Sequence, residues 1–330
     1  MKKETKKARV LSGTRPTGRL HLGNLEGALR NYVRLQDDYD CFYFIADWHA
    51  LTDRNEVVPD LQEDILEVTI DYLAAGIDPE RCTLFVQSQV PEHAVLHLLL
   101  SMIVPLAWLE RVPTFKEKVD NLSAGSSPGY GLLGYPVLQA ADILIYQANF
   151  VPVGQDQLPH LELTREIARR FNALFGEVFT EPQALLTSAP AVPGIDKRKM
   201  SKSYNNDICL ADDDETVRSK VMRMFTDPAK IYRGDKGHPD ICPVYFFHTL
   251  YSAENAPVVH ATCSDGTRGC VDCKKEMADH LLSSLASMRS QRRLWESRKG
   301  EVKEILRQGS QKASAVARTT LAAVQQAMHL

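Results

Sequence analysis

Through its first hundred residues this chain alternates between strand and helix patterns, and that alternation restricts the possible folds more than any other feature. Arg9–Ser12 reads as a short apolar strand stopping at Gly13, and Asn24–Leu35 as a helix. Cys41–Ala46 (CFYFIA) is a continuous apolar run of strand length; helical Leu61–Ala75, strand-like Thr83–Val86 and helical His93–Val104 follow. Alternation of this kind calls for right-handed crossovers and predicts an α/β fold: a Rossmann-like, doubly wound parallel sheet covered by helices. Asn121–Gly134, rich in Gly and Ser, predicts a loop. Beyond about Ala211 the strand signals vanish. Glu215–Met224, Lys274–Met288 and Glu301–Met328 predict a C-terminal all-helical domain, and 330 residues are enough for two units.

Composition matters here for what it excludes. A hydrophobic share of 44% with 25% charged residues is that of a globular protein, and no apolar stretch is long enough to span a bilayer. The opening MKKETKKARV leads only into VLSG, too brief for a signal core, so a cytoplasmic protein with no membrane association is expected. Seven cysteines without a secretory signal then argue for metal binding or buried thiols rather than a disulfide scaffold. The net charge of −3 means that a nucleic-acid partner must be met by a local basic patch.

Two short motifs carry candidate chemistry. The first strand runs into SGTRPTGRLHLGN, residues 12–24, where Gly and Pro allow close backbone approach to a ligand. Gly23 and Asn24 sit at the start of the next helix, where free N–H groups attract phosphate, and His21 adds a donor. The second is RKMSKS, residues 198–203, whose Lys197, Arg198, Lys199 and Lys202 form a basic loop suited to compensating polyphosphate charge. Gly-rich turns and short charge runs also occur without any ligand. No GxxxxGK[ST] occurs, which disfavours a Walker-type ATPase.

The third feature is a stripe. Tyr135, Gln139, Asp142 and Tyr146 are spaced i, i+4, i+7 and i+11 on an otherwise apolar helical stretch, so they share one face. An unsatisfied buried polar group costs about 1–3 kcal/mol, and a carboxylate such as Asp142 needs a donor. A ring N–H or phenol O–H of an aromatic ligand would serve, and so would an internal network; periodicity does not separate them.

With SGTRPTGRLHLGN, IADWHALT, LERVPTFKEK, YPVLQAADILIY, VPVGQDQLPHLELTREIARRFN and RKMSKSYNN in view, the chain resembles the bacterial-type tryptophanyl-tRNA synthetases, class I enzymes, over essentially its whole length. The resemblance implies a catalytic domain over 8–210, with a helical insertion at about 105–190 and the KMSKS loop. It also implies a tRNA anticodon-binding helical domain over 211–330. The activity it implies is attack of the tryptophan carboxylate on the α-phosphorus of ATP, then transfer to the terminal ribose of tRNA(Trp), through its 2′-OH. The nucleophile is already ionised, so catalysis falls to positioning and charge stabilisation. By resemblance this is the work of Lys199, Lys202, His21 and Lys118, with Mg²⁺ on the phosphates. ATP would contact Gly13, Thr14, Arg15, Thr17, Gly18, His21, Gly23 and Asn24 on the first loop and Gly154 and Asp156 after the helix. In the basic loop it would meet Lys199, Met200, Ser201, Lys202 and Ser203.

For the amino acid, Asp142 would accept the indole N–H. Tyr135, Gln139 and Gln157 would hold the polar end, and His49, Val151 and Val153 would line the ring pocket. Arg15 stands where many bacterial members have Gln, and could pair with the carboxylate or the α-phosphate. A homodimer bridged by tRNA is also implied. The rivals are the sister tyrosyl-tRNA synthetases, a non-catalytic protein derived from a synthetase, and a nucleotidyltransferase sharing only HxGN.

The cysteines complete the reading. Cys242, Cys263, Cys270 and Cys273 follow the pattern C-x20-C-x6-C-x2-C, whose spacing suits zinc or a [4Fe–4S] cluster about equally, with a redox CxxC behind both. A subset of the family carries this arrangement as [4Fe–4S] together with the Arg form of the first loop, which implies the cluster here. Cys41, Cys82 and Cys209 lie in apolar runs and read as buried thiols. The run Arg289–Lys299, with five positive charges, reads as a phosphate contact or a solvated helix face.

Overall fold

The computed structural model describes residues 7–52, 60–120, 127–186, 191–232 and 234–330, without the side chains of Lys118 and Asp120. Five strands build one parallel sheet: β1 (Arg9–Thr14), β2 (Asp40–Ile45), β3 (Cys82–Val86), β4 (Phe150–Val153) and β5 (Gln183–Leu186). Helices of nine residues or more are numbered in chain order: α1 (Leu61–Ala75), α2 (Glu92–Ser101), α3 (Tyr130–Leu144), α4 (Leu158–Phe175) and α5 (Asp214–Met222), then α6 (Pro243–Tyr251), α7 (Ala256–Ser264), α8 (Cys270–Glu296) and α9 (Lys299–Ala327).

The strand order is β3-β2-β1-β4-β5. The chain steps outward from β1 to β3 and then returns to the other side of β1, so the order reverses between β1 and β4. Such a reversal opens a crevice beyond the carboxyl ends of the strands, where ligands of doubly wound sheets bind. β1 and β2 pair from Arg9 opposite Asp40 to Thr14 opposite Ile45. The apolar run of β2 is buried on both faces: Cys41, Tyr43 and Ile45 join one core, Phe42 and Phe44 the other.

The structure departs from the sequence patterns in three places. The helix expected from Asn24 begins at Leu22 and passes through a π-helical stretch, Leu25–Leu29, before Arg30–Leu35. The Gly/Ser loop ends earlier than expected because α3 starts at Tyr130, while 121–126 lie outside the described residues. The expected helical insertion at about 105–190 also contains β4 and β5. Their signals were weak because Pro152 sits inside β4 and β5 is a four-residue edge strand.

The helical C-terminal part is not free-standing. Gly309, Ser310, Ala313, Ser314 and Ala317 present a small-residue stripe on α9, which lets that helix seat on β3; a Cβ on Gly309 would collide with the Leu84 carbonyl. Ser314 Oγ donates to Glu92 at 2.9 Å and Arg318 Nε to the same oxygen at 2.8 Å, tying α9 to α2. No helix among the described residues is long and apolar enough to cross a membrane.

Candidate functional site

A cleft of about 500 Å³ opens at the β1/β4 switch, within the range of ligand pockets. Of the residues singled out in the sequence, Gly13, Thr14, Arg15, His49, Tyr135, Gln139, Asp142, Val151, Val153, Gly154 and Gln157 line it. The end of β1 supplies the first three. Gly13 is required by contact, since a Cβ there would run into the Phe44 ring. α3 supplies Tyr135, Gln139 and Asp142 from one face, as its periodicity predicted, whereas Tyr146 turns fully into the core behind them.

Asp142 is 1% exposed, and its carboxylate is met from three sides. Oδ1 accepts from His93 Nδ1 at 2.6 Å, both oxygens accept from Gln87 Nε2 at 2.9 Å, and Oδ2 accepts from His49 Nε2 at 2.9 Å. Burial alone would raise this carboxyl; the His49 and His93 donors outweigh it and hold the group at about 2. An ionised Asp142 requires the proton on His93 Nδ1. On the far side of the same ring, Nε2 lies 2.6 Å from the Tyr146 hydroxyl. Burial and the Asp142 charge hold that phenol well above its ordinary value, so it keeps its proton. The internal network anticipated as one alternative therefore exists, and the carboxylate it steadies also borders the cleft. At the polar end, Tyr135 Oη lies 2.7 Å from His160 Nε2 and 2.5 Å from Thr114 Oγ1, both lining residues.

The remaining predicted residues gather beside the cleft, where the two signature motifs meet. Leu22 N–H donates to the Ile208 carbonyl at 3.0 Å, and His21 bridges Cys209, just beyond the basic loop. Lys202 Nζ donates to the Thr17 carbonyl at 2.8 Å and lies beside Gly18, whose φ of +88° favours glycine. Met200 is buried against Gly23, Asn24 Oδ1 accepts the His21 N–H at 3.0 Å, and Lys199 and Ser203 face solvent. Burial lowers His21 to about 4, with Asp207 opposing and Lys202 assisting, so the ring is neutral at pH 7. Its buried Nδ1 has no partner among the described residues. Burial also lowers Lys202. Asp156 and Gln157 bond to each other at 2.9 Å at the start of α4. The Lys118 side chain lies outside the described residues.

Sequence reasoning missed the supports. Buried Asn206 organises the basic loop: Oδ1 accepts from Ser201 N–H at 2.7 Å, while Nδ2 donates to Asp196 at 2.7 Å and to the Lys199 carbonyl at 3.2 Å. Arg198 is engaged too, paired with Asp196 and stacked 4.3 Å over the Tyr204 ring. Gln87 and His93 had no local signal, because their partner lies some fifty residues away.

Cys242, Cys263, Cys270 and Cys273 line one small cavity where α6, α7 and α8 meet, beside Lys230, Arg268 and Lys274. Burial raises the thiols of Cys242, Cys263 and Cys273, the last to about 12. Among the described residues no three His, Cys, Asp or Glu side chains are gathered closely enough to hold a metal ion. The four thiols border a common space without converging to ligand distances. Cys41 and Cys82 are buried as expected; Cys209 is only half-buried and donates to the Leu20 carbonyl at 3.2 Å.

Comparison with known proteins agrees with this geometry. Residues 2–286 match the family described as tRNA synthetases class I (W and Y). The tryptophan--tRNA ligase of Thermotoga maritima is 49% identical, covering 98% of this chain and 99% of its own. That of Aquifex aeolicus is 43% identical over 98% of this chain and all of its own. A tryptophanyl-tRNA synthetase from Campylobacter jejuni, solved with ADP and tryptophan, superposes with a TM-score of 0.89 at 32% identity, covering 98% of this chain and 100% of that one.

Proposed function

Because this chain belongs to the tryptophan--tRNA ligases of the class I tRNA synthetases, we propose that its cleft joins L-tryptophan to ATP as the adenylate and then passes the aminoacyl group to tRNA(Trp). The observation that carries the reading is Asp142. It is an ionised carboxylate at the floor of an apolar cleft, held by donors from Gln87, His93 and His49 rather than by Arg or Lys. Such an acceptor suits an indole N–H arriving from the cleft, with His49 Nε2 yielding Oδ2 to it. Val151 and Val153 would flank the ring, and Tyr135, Gln139, Gln157 and Arg15 would meet the amino and carboxylate groups.

The phosphates would lie between the first loop and the basic loop. His21 Nδ1, neutral and unpartnered, is a fitting donor, and Lys199 and Lys202 supply positive charge where the α-phosphorus gains negative charge. Thr14, Thr17, Gly18, Gly23, Asn24, Gly154, Asp156, Met200, Ser201 and Ser203 would complete the ATP contacts, and a catalytic role for Lys118 belongs to the same proposal. Mg²⁺ would be carried on the ATP phosphate oxygens, where it neutralises phosphate charge.

The division into 8–210 and 211–330, with the anticodon end in the second part, belongs to the same proposal. So do cytoplasmic location and a homodimer. Supporting the dimer, Leu98, Met102 and Leu106 are more than half exposed on and beside α2. At the cysteine cavity the proposal is a [4Fe–4S] cluster or, alternatively, Zn²⁺, which would require the four thiols to draw together to ligand distance. Four thiols share the space, with Lys230, Arg268 and Lys274 close by to balance thiolate charge. When bound, the group would fasten α6, α7 and α8 together.

ATP–pyrophosphate exchange with a panel of amino acids tests the central reading. Exchange with tryptophan alone is expected. Exchange driven by tyrosine would move the chain to the sister specificity, and none at all would favour a non-catalytic protein. Iron, sulfide and zinc analysis with a visible spectrum tests the cysteine site. A brown protein whose colour bleaches on oxidation while exchange survives is expected, and a colourless protein with one zinc per chain overturns the cluster.

A further inference from the structure

The basic run Arg289–Lys299 carries five cations, and the fold turns two of them inward. Arg289 meets Asp214 and the Asp212 carbonyl. Arg292, 4% exposed, lies against α1, where its Nε donates to Asp71 Oδ1 at 2.7 Å and its Nη2 to Glu67. Each of these carboxylates has a second partner. Asp71 Oδ2 accepts the N–H of Leu20 at 2.7 Å, and Glu67 Oε2 accepts from Arg19 Nε at 2.9 Å.

Arg19 and Leu20 are the two residues before His21. On their other side the Leu20 carbonyl accepts from Leu210 N–H at 2.8 Å and from Cys209 Sγ at 3.2 Å. The segment follows the left-handed Gly18, and its β pairing is the isolated bridge of His21 to Cys209, which engages the Leu20 carbonyl and the Leu22 amide but not the Leu20 amide. The Leu20 amide therefore has no strand partner to fix it, and a side chain from α1 does that work. Burial raises the Asp71 carboxyl, and the Arg292 charge and the Leu20 amide oppose the rise.

We propose that Asp71 and Arg292 are positioning residues for ATP activation: Arg292 holds the Asp71 carboxylate in place, and Asp71 fixes the Leu20 amide and so the aim of His21. A basic residue that the sequence offered as a solvated or phosphate-facing cation acts from the opposite side, through a buried carboxylate, on the phosphate turn. The inference rests on the reading of the HLGN turn as part of the ATP site.

Two double variants test it by ATP–pyrophosphate exchange. Asp71→Asn with Arg292→Met removes both charges but leaves an oxygen for the Leu20 amide. Asp71→Leu with Arg292→Met removes that acceptor as well. Both proteins are expected to fold, since Glu67 keeps Arg19 as a partner, with the lower Tm in the Leu/Met protein because its buried Leu20 amide is left without an acceptor; exchange is therefore read per folded molecule. The Asn/Met protein should stay within about threefold of the parent, while the Leu/Met protein should lose roughly 10- to 100-fold in kcat/KM for ATP with KM for tryptophan held, as for a small displacement of a positioned group. Equal kcat/KM for ATP in the two proteins, or a loss shared equally by ATP and tryptophan, overturns the proposal.

His21→Asn run alongside separates the premises. If it alters the ATP parameters and the Leu/Met protein does not, the positioning role falls and the ATP reading stands. If neither alters them, both fall. Should the Leu/Met protein fail to fold, Arg292→Lys decides. It keeps one charge but cannot span Asp71 and Glu67 together, so KM for ATP should rise alone, and an unchanged KM for ATP refutes the role.

Discussion

Asp142→Ala is the most informative perturbation, and the structure fixes its expected size. Oδ2 accepts from His49 Nε2 at 2.9 Å, while His93 and Gln87 hold the carboxylate from behind. Tryptophan exchanges one donor for another at Oδ2. An isosteric analogue with sulfur in place of the indole N–H, benzothienylalanine, displaces His49 and returns nothing. The deficit is one bare acceptor position on a carboxylate that keeps its other bonds, about 1–3 kcal/mol, or about 5- to 150-fold in kcat/KM. A site whose only bond to the acceptor came from the ligand would discriminate by roughly 10⁴-fold. The intact rear network is the reason to expect less.

The assay is ATP–pyrophosphate exchange with the two amino acids, read as their ratio within each protein. A ratio within one protein is insensitive to any fraction of the variant that fails to fold. Wild type should prefer tryptophan by about 5- to 150-fold, and Asp142→Ala should bring the ratio to about 2 or below, because the acceptor for the N–H is gone. An Asp142→Ala protein that binds ATP and still prefers tryptophan more than tenfold would refute the assignment of the indole N–H to Asp142.

Lys202→Ala removes both the cation and the bond to the Thr17 carbonyl; exchange kcat should fall roughly 10²- to 10³-fold with KM for tryptophan unchanged, and a change confined to KM for tryptophan contradicts the placement. His21 titrates from 6.5 in the unfolded chain to about 4 in the fold. Between those values the unfolded state takes up a proton that the folded state refuses, so stability is lost as pH falls through that window. His21→Asn should flatten the fall of Tm there, and an unaltered slope counts against the buried neutral ring. Gly309→Ala drives a methyl into the Leu84 carbonyl. It should cost about 1–3 kcal/mol in denaturant unfolding as α9 lifts from β3, with exchange per folded molecule retained, and unchanged stability would mean that α9 does not seat there.

What the sequence made legible is what local periodicity and backbone chemistry write down. The doubly buried run of β2, the stripe of α3 and the glycine turn after β1 each follow from the residues within a dozen positions of them. β4 escaped because Pro152 denies the strand an amide, and the seat of α9 escaped because small residues on a helix signal nothing until a partner is known. The same limit governs the site. Periodicity says that Asp142 must be satisfied, but its donors come from 49, 87 and 93, each on a different element. Only the parallel crossovers that stack β2, β3 and α2 beside α3 bring them within 3 Å. Arg292 is a sharper case, since its partners lie 221 and 225 residues away and its sequence neighbourhood points toward solvent. A charged residue in a basic run is indistinguishable, from sequence, from one buried against two carboxylates, because the difference lies in which face of α8 meets α1. Residues that touch ligand tend to sit in motifs. Residues that hold those in place are drawn from anywhere the fold makes adjacent, so the supporting network of this cleft had to be read from structure.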